Sequence, residues 1–236
     1  MARRSVRSAW RGLVADPRHG SLPLLLLVLT VVTGVVDAIS ILSLGRVFVA
    51  NMTGNVAFVG FALAGAPGFS LSASVFALGG FLVGAGAGGV LAGRLGEHRE
   101  ALLRSGAAIE LVLLVLALVI AIFAGAPFGV VPRAAIAAVV AVAMGMQNAV
   151  ARRLAVPDLT TTVLTMTLTG LAADVRTHRW TRSATVRITA VLAMLSGAVA
   201  GTLLVLHASP EAAIALAVAL LLLVTSAASW STRSER

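Results

Sequence analysis

The 236-residue chain has no cysteine. Disulfides, thiolate metal sites and cysteine nucleophiles are therefore excluded. It also has no lysine, so all 18 basic residues are arginine. Charged residues make up only 11% of the chain, against about 25% in an ordinary soluble domain. The four histidines, His19, His98, His178 and His207, fall in tails or loops without metal-ligand spacing. No metal and no cofactor is expected.

What the chain has instead is apolar length. Hydrophobic residues make up 59% of it, and the mean hydropathy is +1.01. Too little polar surface remains to cover a soluble fold, so lipid is the solvent this sequence suits. The net charge of +9 would fit nucleic-acid binding. However, the arginines sit at the ends of apolar runs and form no continuous basic face, so they read as topology signals. The expected partner is a lipid bilayer, not nucleic acid.

The predicted fold is all-α, a polytopic transmembrane helical bundle. Residues 1–21 form a basic cytoplasmic arm, 22–229 a single transmembrane domain, and 230–236 a cytoplasmic tail. The arm, with Arg3, Arg4, Arg7 and Arg11, resembles a secretory signal. The apolar run continues past Gly34 without a small-x-small cleavage site, which predicts a retained first helix. Trp10, Trp180 and Trp230 fit interfacial anchors.

Eight apolar segments can be marked: A (22–44), B (47–66), C (71–95), D (106–125), A′ (134–150), B′ (159–173), C′ (186–206) and D′ (212–228). The order repeats, with repeat 1 over 22–125 and repeat 2 over 131–229. Gly34-Val35-Val36-Asp37-Ala38 recurs as Gly145-Met146-Gln147-Asn148-Ala149. Further on, Thr53 matches Thr165 and Gly80 matches Gly197. Repeats of this kind underlie many transporter folds, which place the functional site where the repeats meet. Ser209-Pro210-Glu211 supplies D′ with a cap, a first-turn proline and a first-turn acid, and Asp158 reads as the N-cap of B′.

B and B′ decide the span count, because both are rich in short polar residues. If both cross, there are eight spans and parallel halves. If both are re-entrant or broken, there are six spans and inverted halves. The six-span count leaves Arg46 and Arg133 as the outside arginines, and eight spans would expose three times as many. The positive-inside rule favours six full spans plus two discontinuous segments, with both termini cytoplasmic.

Asp37 carries the sharpest functional signal. It lies deep within A, where an ionised side chain costs several kcal/mol and is kept mainly for function. It reads either as a proton or cation site or as a hydrogen-bonding link between helices. Its counterpart Asn148 keeps the shape without the charge, and Gln147 adjoins it on another helical face. Asn51-Met52-Thr53-Gly54-Asn55 comes next. Short polar side chains and a glycine at the start of a membrane segment can unwind a helix and expose ion-binding backbone groups. A capped helix start, with Asn51 or Thr53 as the cap, is the plainer alternative. Thr162, Thr165 and Thr169 share a face of B′ and read either as pocket lining or as threonines bonded to their own helix. The candidate site is thus Asp37, Asn51, Thr53, Asn55, Asn148 and Thr165.

Gly80, Gly84 and Gly88 in C recur every four residues, as do Ala193, Gly197 and Gly201 in C′. Such stripes let helix backbones approach closely, and C and C′ are expected to meet near the pseudo-symmetry axis. Glu110 reads as structural, near one end of D and within reach of Arg104.

At these residues the chain resembles the YoaK family of bacterial inner-membrane proteins, a domain-of-unknown-function family. The resemblance rests on Gly34-x-x-Asp37-Ala38, on Phe48-Val49-Ala50-Asn51-Met52-Thr53-Gly54-Asn55 and on the glycine-rich C segment. It continues through Gly145–Ala149 and the 160–167 threonine run, and covers about 24–223. Met166 stands where a small residue would complete the pattern. The resemblance implies a multi-pass membrane protein of the bacterial inner membrane and carries no reaction.

Three functions compete. A small secondary transporter would bind a proton or cation at Asp37 and an unidentified small solute or ion nearby, and a homo-oligomer would enlarge so small a carrier. A non-transporting scaffold, partner-binding or lipid-sensing module would need the glycine faces and not Asp37. An intramembrane enzyme is expected least, because the apolar runs hold no histidine, cysteine or serine–base pair.

Overall fold

The computed structural model describes residues 19–157, 159, 161, 164–176 and 182–234. The sequence readings at Trp10, Asp158, Thr160, Thr162, His178, Arg179 and Trp180, and most of the basic arm, lie outside the described residues. Among the described residues eight helices follow in order: α1 (Leu22–Ser43), α2 (Met52–Leu63), α3 (Leu71–Leu95), α4 (Arg99–Ala124), α5 (Val130–Leu154), α6 (Leu164–Arg176), α7 (Arg182–His207) and α8 (Pro210–Ser234). Among the described residues there is no strand.

Six of these helices are long and apolar enough to cross a membrane, and α2 and α6 are not. At about 1.5 Å per residue, the 22 residues of α1 reach about 33 Å, whereas the 12 of α2 reach about 18 Å against a hydrocarbon core of about 30 Å. B was expected from residue 47, but α2 starts only at Met52. The chain leaves α1 through Gly45 (φ 96°) and Arg46 (φ 57°) and stays non-helical to Asn51. Ser209 caps α8, accepting from the Ala212 N–H at 3.2 Å, as its sequence predicts. Ser70 caps α3 in the same way, accepting from the Ala73 N–H at 3.3 Å.

The first helix of each half is the most enclosed. Of the apolar window of each helix, 78% of α1 and 61% of α5 is buried, against 22% in α3 and in α7. The outer helices turn large side chains such as Leu82, Val112, Phe123 and Leu203 outward, as a lipid-facing surface requires.

The packing corrects one expectation. The glycine faces of C and C′ do not meet each other. α3 packs on α5, and α7 packs on α1. A Cβ on Gly84 would collide with the Val142 carbonyl, and one on Gly145 with the Phe81 carbonyl. At the other crossing, a Cβ on Gly197 would collide with the Val31 carbonyl, and one on Gly34 with the Met194 carbonyl. The repeated glycine of A and A′ supplies the complementary small residue, so each glycine face closes on the opposite half. α1 also packs on α8, and α5 on α4, while α4 meets α8 directly. Exchanging the two halves leaves this pattern of neighbours unchanged.

Candidate functional site

α1 carries a buried polar stripe: Thr30, Thr33, Asp37 and Ser40. Three of the four are satisfied within their own helix. Thr30 donates to the Leu26 carbonyl at 2.8 Å, Thr33 to the Leu29 carbonyl at 3.0 Å, and Ser40 to the Asp37 carbonyl at 2.9 Å. The Asp37 carboxyl has no such outlet. The residue is 7% exposed, and its Oδ1 is buried with no hydrogen-bond partner.

The other oxygen meets the non-helical segment. Asn51 Nδ2 donates to Asp37 Oδ2 over a long 3.4 Å, and the Ala50 backbone faces the same carboxyl. Asn51 occupies the N-cap position of α2 but makes no capping bond. Its side chain turns to Asp37 instead, so the carboxyl is held by the stretch that interrupts the membrane run.

That stretch is clamped through Phe48. The Phe48 N–H donates to Asn55 Oδ1 at 2.9 Å, and Asn55 Nδ2 donates back to the Phe48 carbonyl. The Cδ2–Cε2 edge of the Phe48 ring lies against Gly54, where a Cβ would collide with it. The same ring stacks on Phe58 at 5.5 Å, and Phe58 packs on Phe69 at 5.0 Å. Asn55 is thus fully buried as a support for the loop. Thr53 is exposed.

In the second half, Asn148 Nδ2 donates to the Met144 carbonyl of its own helix at 2.9 Å. Asn148 also lines an open cavity with Phe81, Gly89, Arg152 and Arg153. Thr165 is exposed, and its carbonyl accepts from the Thr169 hydroxyl at 2.9 Å. Of the six candidate residues, the structure joins Asp37 and Asn51 directly and Asn55 through the loop. Among the described residues no hydrogen bond joins Thr53 or Thr165 to them, and the Asn148 amide bonds back to Met144.

Gln147 and Glu110 are buried as well. Gln147 Nε2 donates to Thr33 Oγ1 at 2.9 Å, which links the halves one helical turn from Asp37. Helical spacing sets Gln147 on a different face from Asn148, and that is the face that reaches α1. Glu110 is 1% exposed, with a buried Oε1 lacking a partner. It lies near the middle of α4 because that helix starts at Arg99, seven residues before the expected start of D. Among the described residues, no three histidines or acids group as metal ligands.

A family model described as "Protein of unknown function (DUF1275)" matches residues 25–227. The chain is 33% identical over 153 residues to "UPF0700 transmembrane protein YoaK" of Bacillus subtilis (strain 168). That match covers 64% of this chain and 66% of the relative, so it leaves about a third of the relative's length unspanned. No solved structure matches the chain. With six apolar helices of membrane-crossing length and a family match over most of its residues, the chain belongs to the DUF1275 family of proteins of unknown function.

Proposed function

We propose that this protein is a small secondary transporter coupled to a proton or another cation, with Asp37 as the coupling group. One observation carries the reading. A carboxyl enclosed by protein in the core of the bundle leaves one oxygen without a partner, at the point where a membrane run is interrupted. Such a group is expensive unless a cation or proton occupies it for part of a cycle. The interruption places irregular backbone against the carboxyl, the arrangement discontinuous helices use at transporter sites. Gln147 and Thr33 lie beside it at the seam between the halves, so movement of one half against the other alters the surroundings of Asp37.

Three long helices per half would give the halves opposite orientations, an inverted repeat. With the arginine bias, both termini then lie in the cytoplasm and the protein in the bacterial inner membrane. The test is flux in proteoliposomes under an imposed proton gradient, read with a pH dye. Wild-type protein should dissipate the gradient when a panel of solutes includes the transported one, and Asp37→Asn should not. Equal dissipation by the two proteins would remove Asp37 from the mechanism.

A further inference from the structure

A cavity just beyond the C-terminal end of α1 has none of Asp37, Asn51 and Asn55 in its lining. It measures about 740 Å³ and opens where the end of α1, the start of α3 and the start of α5 converge. Its polar lining is Arg46, Arg133, Ser70 and Ser72, and its apolar wall includes Phe76 and Val130. Among the described residues, no acid lines it. Two guanidinium groups therefore share a cavity without a counter-charge in its wall.

Both arginines are positioned. Gly68 (φ 85°) lets the chain pass close beneath Arg46, whose Nη1 lies 3.3 Å from where a Cβ would stand. Gly45 (φ 96°) plays the same part for Arg133, whose Cδ lies at 3.4 Å. Arg133 Nη2 donates to the Phe128 carbonyl at 2.8 Å, which anchors one end of the guanidinium. Arg133 Nε is buried with no partner. An unpaired donor on a permanently charged group calls for an acceptor.

The apolar wall says what kind of acceptor. Phe76 is 62% exposed and Val130 81% exposed, the first within two turns of the start of α3 and the second at the start of α5, the ends that bear the polar groups. A ligand held here has its anionic head at the level of the helix ends and an apolar portion along Phe76 and Val130. We propose that this cavity binds a phosphate-type oxyanion, supplied by the headgroup of an anionic phospholipid. Paired arginines match phosphate oxygens in charge and fork geometry, and basic pockets between membrane helices are suited to such headgroups.

The test uses the full chain in detergent and follows thermal unfolding against three probes: dihexanoyl-phosphatidylglycerol, dihexanoyl-phosphatidylcholine and inorganic phosphate. Phosphatidylglycerol should raise the Tm of the wild type at lower concentration than phosphatidylcholine. Arg46→Gln, at an exposed side chain, should raise the phosphatidylglycerol concentration for half the effect about tenfold, as loss of one charged hydrogen bond implies. Arg46→Gln/Arg133→Gln should abolish the difference between the two lipids. If removing Arg133 unfolds the protein, Arg46→Glu decides alone, because charge reversal should eliminate the phosphatidylglycerol effect. Inorganic phosphate acting at the same concentration as phosphatidylglycerol, with the same dependence on Arg46, would keep the oxyanion site and reject the lipid as its source. Phosphatidylglycerol curves unchanged in Arg46→Gln and Arg46→Glu, or equal curves for the two lipids in the wild type, would overturn the proposal.

Discussion

At the α1–α7 crossing, Gly34 and Gly197 each lie against the backbone of the other helix, and at the α3–α5 crossing Gly145 and Gly84 do the same. Three residues beyond the first glycine of each pair, the halves part. Asp37 reaches the loop through Asn51 and keeps one oxygen unpartnered, while Asn148 donates to its own helix and borders an open cavity. The segments that follow part in the same way. Gly54 receives the Phe48 ring, whereas Met166, its counterpart, is 69% exposed. Two halves packed alike thus carry one enclosed carboxyl and, at the matching position, an amide. The shared features build the bundle, and the unshared ones mark where to look for activity.

The largest effect is expected from moving the charge. Asp37→Asn/Asn148→Asp keeps the composition of the pair and transfers the acid to a position whose amide now bonds back to Met144. If the surroundings of Asp37 make the coupling site, the exchange abolishes gradient-driven flux as completely as Asp37→Asn. Asn148→Ala should leave most of the flux in place. Flux restored by the exchange would mean that the two halves are functionally equivalent and that the difference in surroundings is incidental.

Next in size are the glycine crossings, where the halves should respond alike. Gly84→Ala and Gly197→Ala each place a methyl against a rigid carbonyl and should lower stability by about 3 kcal/mol, the upper range for overpacking. Gly89→Ala and Gly93→Ala meet nothing within 4 Å and should be neutral or slightly stabilising. Thermal unfolding in detergent reads both pairs. A large loss at only one crossing would break the symmetry of the scaffold.

These crossings also show how far the sequence could be read. The stripes of Gly80, Gly84 and Gly88 and of Gly197 and Gly201 announced close packing, but periodicity on one helix does not identify its partner. The complementary signal was Gly34 and Gly145, which look unremarkable until each is set against a facing backbone. The six long helices and two short ones were legible because length and polarity decide which runs can cross lipid. Glu110 reads as near one end of D because the apolar run begins only at residue 106, although the helix itself begins at Arg99 and takes in Arg104. The asparagines of the Asn51–Asn55 element were visible as a group, but only the folded loop separates the one that faces Asp37 from the one that holds Phe48.

A smaller effect should distinguish those segments. Asn55→Ala removes the partners of both the Phe48 N–H and the Phe48 carbonyl and should cost about 2 kcal/mol, since polar groups left unpaired away from water carry their desolvation penalty. Thr165→Ala, at an exposed position in α6, should stay within about 0.5 kcal/mol of wild type. Equal losses would indicate that the second segment is clamped as the first is.

The smallest effect concerns the bond that joins the halves. Gln147 and Thr33 lie on different repeats, so their coupling is tertiary, whereas Thr33 keeps its bond to the Leu29 carbonyl whether or not Gln147 is present. A double-mutant cycle of Thr33→Val and Gln147→Leu isolates the cross-seam term from that local bond. Interhelical bonds of this type average about 0.6 kcal/mol in a membrane, because the separated helices find other partners. A coupling energy near that value makes the seam a weak joint, able to open while the glycine crossings hold. A value above about 2 kcal/mol would exceed the range for such bonds and make Gln147 part of the rigid scaffold, which would leave the loop bearing Asn51 as the element free to move against Asp37.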